Sequence, residues 1–184
     1  LDVRRCRIQA LAADGHKWLL GPEGCGVLYI QRDWQDRIEP VEFGWTNTAR
    51  YFDYASRDMT LRPDAGRYEP GTLNTIGIFG LRAAIELLNE IGVEQVSTGV
   101  LAVAEQLAEG ARRKGYETLG PRDRPEATSG IVTISKTGVD MNALCRRLRT
   151  EHQIIAAPRQ GYIRFSPHFY ITPGQISEAV EALE

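Results

Sequence analysis

The sequence predicts an α/β fold that ends in a small α/β sandwich. Two observations carry this expectation. Strand-like apolar runs alternate with segments whose apolar residues recur every three or four positions. Roughly the last 60 residues also read, in order, strand, helix, strand, strand, helix, an order that suits a small α/β sandwich. The chain has 184 residues, 42% of them apolar and 25% charged, the composition of an ordinary globular protein with a sizeable core.

The elements follow in order. Ile8 to Ala13 form a short apolar run that stops at Asp14-Gly15. "GVLYIQ" (26–31) is apolar and β-prone, and reads as a strand. Between them "GPEGCG" (21–26) must be a loop, because glycine and proline punctuate it. Residues 32–74 show no sustained period, yet hold Trp34, Trp45, Tyr51, Phe52, Tyr54 and Tyr68. A connection this long inside a compact protein is usually functional. From Thr75, Ile78, Leu81, Ile85 and Leu88 keep helical spacing up to a stop at Gly92. Val96, Val100, Ala104, Leu107 and Ala111 then line one face of a second helix ending at Gly115.

"SGIVTIS" (129–135) is the next strand, after turn signals at 119–127 that mark a domain boundary: 1–118 on one side, 119–184 on the other. Asp140 caps a helix carrying Met141, Leu144 and Leu148. "QIIAAP" (153–158) and "YIRFS" (162–166) are strands. "TPGQ" (172–175) is a capping box with proline at the first helical position, and Ile176, Val180 and Leu183 follow at helical spacing.

Several classes are disfavoured. A net charge of −2 gives no reason to expect a nucleic-acid or anionic-membrane partner. No apolar run approaches the roughly 18 residues of a membrane span, and the first 15 residues lack the apolar core of a signal peptide. Cys6, Cys25 and Cys145 are an odd number without C-x-x-C spacing, which argues against a disulfide framework and a structural metal site. A reducing cytoplasm is the simplest setting. The chain starts at Leu1, which is compatible with a start inside a longer polypeptide.

One residue asks for chemistry. Lys17 follows His16 and precedes the glycine-rich turn. It reads either as a solvated loop charge or as an amine held in place to react. A nucleotide-phosphate loop is disfavoured, because these glycines lead into the strand "VLYI" and not into a helix N-terminus.

Three stretches in order decide between the readings: "DGHKWLLGPEGCG" (14–26), "RYEPGTLNTIGIFGL" (67–81) and "YIRFSPHFYIT" (162–172). Together they resemble the class V aminotransferase family of fold-type I pyridoxal-phosphate enzymes. That family includes aminotransferases, cysteine desulfurases, kynureninases and isopenicillin N epimerase-like proteins. The likeness departs at Ile171, where the family usually has asparagine. It implies the end of a fold-type I PLP-transferase large domain, followed by the small C-terminal α/β domain. It further implies that Lys17 forms the Schiff base with pyridoxal 5'-phosphate, a role that needs a primary amine deprotonated part of the time. His16 would touch the cofactor phosphate, with a plain loop histidine as the competing reading. Thr72 would reach the phosphate of a neighbouring subunit's cofactor, or else cap the helix from Thr75. Arg164 would fork the α-carboxylate of an amino-acid substrate, with Arg159 as the other candidate.

The same resemblance implies a homodimer with a shared site and a chain that is the C-terminal part of a class V protein. The aspartate at the pyridine nitrogen would lie before Leu1, so these residues alone should not catalyse efficiently. Family desulfurases use a mobile cysteine in the loop before the carboxylate arginine. Here that loop, "AAPRQG" (156–161), has none. Transamination, epimerisation or cysteine-independent lyase chemistry fits better. A non-catalytic dimerisation or partner-binding module is the alternative, and it makes Lys17 incidental.

Overall fold

A computed structural model describes residues 1–122, 124 and 127–183. The chain divides into two compact units, Leu1–Glu90 and Ile91–Glu184. The second helix therefore groups with the C-terminal unit, whereas the sequence expectation placed the division at 118/119. Within the turn signals at 119–127, Asp123, Pro125 and Glu126 lie outside the described residues.

In the first unit, β1 (Ala10–Asp14) pairs antiparallel with β2 (Gly26–Ile30), in register from Ala10 opposite Ile30 to Asp14 opposite Gly26. The long stretch without period is irregular, with 3₁₀ turns at Arg32–Trp34 and Ala65–Tyr68 and a single bridge between Thr48 and Leu61. Polar bonds pin it. Asn47 is fully buried. Its Oδ1 accepts from the Gly44 amide at 2.6 Å, and its Nδ2 donates to the Arg67 carbonyl at 2.5 Å. The Arg67 guanidinium donates to the carbonyls of Arg62 and Gln35, and the Tyr68 hydroxyl donates to that of Ile38. Gly44 passes so close to the 70–71 peptide that an added Cβ would stand 1.5 Å from the Pro70 carbonyl oxygen. Only glycine fits there. α1 (Thr75–Ile91) begins where the periodicity predicts and buries Gly77, Leu81 and Leu88.

In the second unit, Gly92, at φ 96°, separates α1 from α2 (Val93–Arg113). β3 (Glu117–Leu119), β4 (Val132–Ser135), α3 (Met141–His152), β5 (Ala157–Arg159), β6 (Tyr162–Phe165) and α4 (Pro173–Glu181) follow. The strands form an antiparallel sheet in the order β3-β4-β6-β5. Val132, Ile134, Ile163 and Phe165 share one core with Leu107 of α2, Leu144 and Leu148 of α3, and Ile176 of α4. This is the expected two-layer α/β sandwich. The Asp140 cap and the Thr172–Gln175 capping box both form.

The structure corrects two details. β3 is a three-residue edge strand without an alternating pattern of its own, and the sequence does not announce it. The stretch "QIIAAP" is strand only from Ala157: Gln153 takes a left-handed φ of 57° and closes α3, with the Ile154 amide donating to the Leu148 carbonyl. Among the described residues, no helix is long and apolar enough to cross a membrane.

Leu148 is fully buried, whereas Ile155 is 82% exposed. Leu148→Ala should destabilise the protein by about 2–5 kcal/mol in urea unfolding, and Ile155→Ala by less than about 0.5 kcal/mol. Equal effects would place the core elsewhere.

Candidate functional site

The end of β1 delivers Asp14 opposite Gly26, and the chain then turns tightly. The Gly15 amide donates to the Cys25 carbonyl at 2.8 Å, and the Gly21 amide to the Gly15 carbonyl at 2.7 Å. These bonds close residues 15–21 into a small loop with His16, Lys17 and Trp18 on its outside. A Cβ at Gly15 would lie 2.5 Å from the Cys25 carbonyl oxygen, so the closure needs glycine. The Lys17 side chain is 63% exposed, and its Nζ donates to Asp14 Oδ2. That hydrogen bond and the lysine charge hold the Asp14 carboxyl below the usual carboxylate range, with a smaller contribution from His16. The arrangement presents a primary amine on a fixed backbone, the requirement for condensation with an aldehyde.

Thr72 is exposed and lies on the approach to α1. It does not cap the helix. Asn74 does: its Oδ1 accepts from the Gly77 amide at 3.0 Å. The reading of Thr72 as N-cap is thereby replaced, and its hydroxyl is not engaged in capping. The Asn74 Nδ2 also donates to the Gly24 carbonyl at 3.1 Å, which ties the lysine-bearing loop to the start of α1. Leu81 packs against the same loop, with its Cδ1 next to Gly15 and Gly21. From the other side, Thr46 Oγ1 donates to the Glu69 carbonyl just before Thr72. His16, Lys17 and Thr72 thus stand on segments joined by hydrogen bonds within one unit. Asn74 was missed by sequence reasoning, although an asparagine three residues before Gly77 is an N-cap signal.

Arg164 belongs to the second unit. It lies on β6, beside Thr133 of β4 and Ala157 of β5. Its neighbours Ile163 and Phe165 enter the core, so Arg164 faces the other side of the sheet. It is half-buried. Its Nε is buried and has no hydrogen-bond partner among the described residues. A buried guanidinium nitrogen in that state calls for an acceptor such as a carboxylate. Arg159 is exposed, and its guanidinium donates to the neighbouring Pro158 carbonyl at 2.8 Å.

The Asp14–Lys17 pair makes a measurable expectation. Lys17→Met should raise the Asp14 pKa toward the ordinary carboxylate range, read by NMR titration, and added salt should shrink the difference. A carboxyl whose folded-state pKa is lowered stabilises the fold above its unfolded pKa. That contribution is lost as pH falls through the lowered value. An unchanged Asp14 titration in Lys17→Met would remove the pair.

Comparison with known proteins identifies the family. The family model of aminotransferase class-V matches residues 1–162. The uncharacterized aminotransferase YcbU of Bacillus subtilis is 28% identical over 183 residues, covering 100% of this chain and 47% of that protein. The isopenicillin N epimerase of Streptomyces clavuligerus is 28% identical over 197 residues, covering 100% and 48%. A probable cysteine desulfurase of Methanothermobacter thermautotrophicus is 29% identical over 201 residues, covering 100% and 49%. The chain thus spans about half the length of the curated relatives it matches. Among solved structures, the apo cysteine desulfurase of Thermococcus onnurineus superposes with a TM-score of 0.88 at 24% identity, over 99% of this chain and 48% of that one. The cystine C-S lyase C-DES does so with a TM-score of 0.86, and a variant of that lyase carries glycine covalently linked to its PLP-cofactor. With its fold shared by these enzymes and most of its length covered by the family model, the chain belongs to the class-V aminotransferase family.

Proposed function

We propose that this chain supplies the cofactor lysine and the substrate arginine of a pyridoxal-phosphate enzyme acting on an amino acid. The observation that carries the reading is the fate of the three lysine positions. Lys114 donates to the carbonyls of Glu181 and Leu183, closing the end of the C-terminal helix. Lys136 donates to the Lys114 carbonyl and lies over the Tyr116 ring. Lys17 alone stands on an exposed, glycine-closed loop, where among the described residues it pairs with a solvent-exposed carboxylate.

The residues present suit the cofactor's chemistry. Lys17 offers the amine for its aldehyde, and His16 and the Thr72 hydroxyl offer donors for its phosphate. When bound, the cofactor draws electrons from the bonds at the substrate α-carbon. Asp14 holds the Lys17 ammonium in place. Arg164 holds the substrate carboxylate through a nitrogen that otherwise lacks an acceptor. Thr72 serves the site of a second copy, so the working form is a homodimer. The free thiols of Cys6, Cys25 and Cys145 suit a cytoplasmic setting.

The reaction is transamination, epimerisation or cysteine-independent lysis. Two features support that choice over a cysteine-mediated desulfuration. The stretch 156–161 is β5 and its turn into β6 and contains no cysteine. Cys145 is buried in α3, with its Sγ 3.5 Å from the Ala156 carbonyl oxygen.

Incubation with pyridoxal phosphate, borohydride reduction and peptide mapping should place the label on Lys17 and leave the Lys17→Ala protein unlabelled. Label on Lys114 or Lys136, or none at all, would overturn the proposal.

A further inference from the structure

The long stretch between β2 and α1 builds a second feature that the cofactor reading leaves unused. Phe43, Trp45, Tyr51, Tyr54 and Met59 line an open cavity of about 350 Å³. The Trp45 ring centroid lies 6.2 Å from those of both Tyr51 and Tyr54, at tilted angles, so three rings share one wall. Tyr54 is 83% exposed and Met59 60% exposed, so their apolar faces look into open space. The polar groups at the rim are already engaged. Arg50 pairs with Asp53 at 2.6 Å, and Asp58 accepts from both the amide and the hydroxyl of Thr60. The Arg62 guanidinium stacks over Tyr51, 5.1 Å from its centroid. The rim therefore offers no free cation among the described lining residues, and its one carboxylate without a cationic partner, Asp58, is hydrogen-bonded to Thr60. The volume lies at the small end of ligand sites, enough for one ring-bearing group.

The cavity is fixed to the segment that carries Thr72. Gly44, in its wall, abuts the Pro70 carbonyl, and Thr46 donates to the carbonyls of Glu69 and Gly71. We propose that this pocket receives the aromatic side chain of the amino-acid substrate in the site to which Thr72 contributes, with Trp45 and Tyr54 setting the specificity. The proposal rests on the cofactor reading above and narrows its substrate class to aromatic amino acids.

The test uses the cofactor-loaded full chain and calorimetric titration with 3-phenylpropionate, which carries a ring and a carboxylate but no amine to react. Propionate is the ringless control. 3-Phenylpropionate should bind about tenfold or more tighter than propionate, the scale expected for burying one ring against others. Tyr54→Ala should weaken it about three- to tenfold, and Tyr54→Phe should restore it. Tyr54 is too exposed for its loss to threaten the fold. Equal binding of the two acids, or full affinity in Tyr54→Ala, overturns the pocket. Borohydride labelling of the same preparation separates the two ideas. Label at Lys17 with no ring preference sinks the pocket alone, whereas no label sinks the reading beneath it. Burial of Tyr54 that rises with protein concentration and shuts out 3-phenylpropionate would mark a contact between copies, and would also overturn the pocket.

Discussion

Asn74 makes the two hydrogen bonds on which the arrangement of the first unit depends. With its Oδ1 it caps α1 at Gly77, and with its Nδ2 it holds the Gly24 carbonyl of the lysine-bearing loop. One side chain therefore sets where the helix begins and where the loop lies against it. Asparagine can do both because its amide carries an acceptor and a donor at opposite corners. Aspartate could cap the helix but has no N–H for Gly24. Serine could cap it but is too short to bridge. The loop's own closure between Gly15, Gly21 and Cys25 then places Lys17 on the outside of a backbone held at both ends.

A second asparagine gives the long irregular stretch its order. Asn47 is fully buried, and it answers the Gly44 amide and the Arg67 carbonyl. A loop this long carries many backbone groups that no ladder satisfies, and buried ones must find partners. Asn47, Arg67, Tyr68 and Thr46 supply them. Phe43, Trp45, Phe52 and Tyr54 are left at the surface of this framework, while Tyr51 is half-buried. The second unit is built the other way. A continuous apolar core holds its helices on the sheet, and on the face of the sheet away from that core the Arg164 Nε is buried without a hydrogen-bond partner among the described residues.

What the sequence made legible follows the same division. α1, α2, α3 and α4 each bury an apolar stripe, and each was visible as a period. The caps at Asp140 and Thr172 were visible because their partners are local. Lys17 stood out because its flanking glycines punctuate so strongly. The Asn74 and Asn47 bonds were hidden, because their partners at Gly24 and Arg67 lie far off in the sequence and polar residues have no period. β3 was hidden because a three-residue edge strand shows too little alternation to detect. Arg164 was expected as a carboxylate ligand by resemblance alone; the buried, unanswered nitrogen needed coordinates to see.

The central claim is that Asn74 joins the lysine loop to the helix that follows Thr72. Amide hydrogen exchange in wild type and Asn74→Ala tests it directly. The account expects Gly77 and Gly21 to lose protection together, roughly fivefold or more for a cap worth ~1 kcal/mol, because the loop is released when the helix loses its cap. Faster exchange at Gly77 alone, with Gly15 and Gly21 unchanged, would show that the lysine loop holds its shape without Asn74 and would contradict the claim.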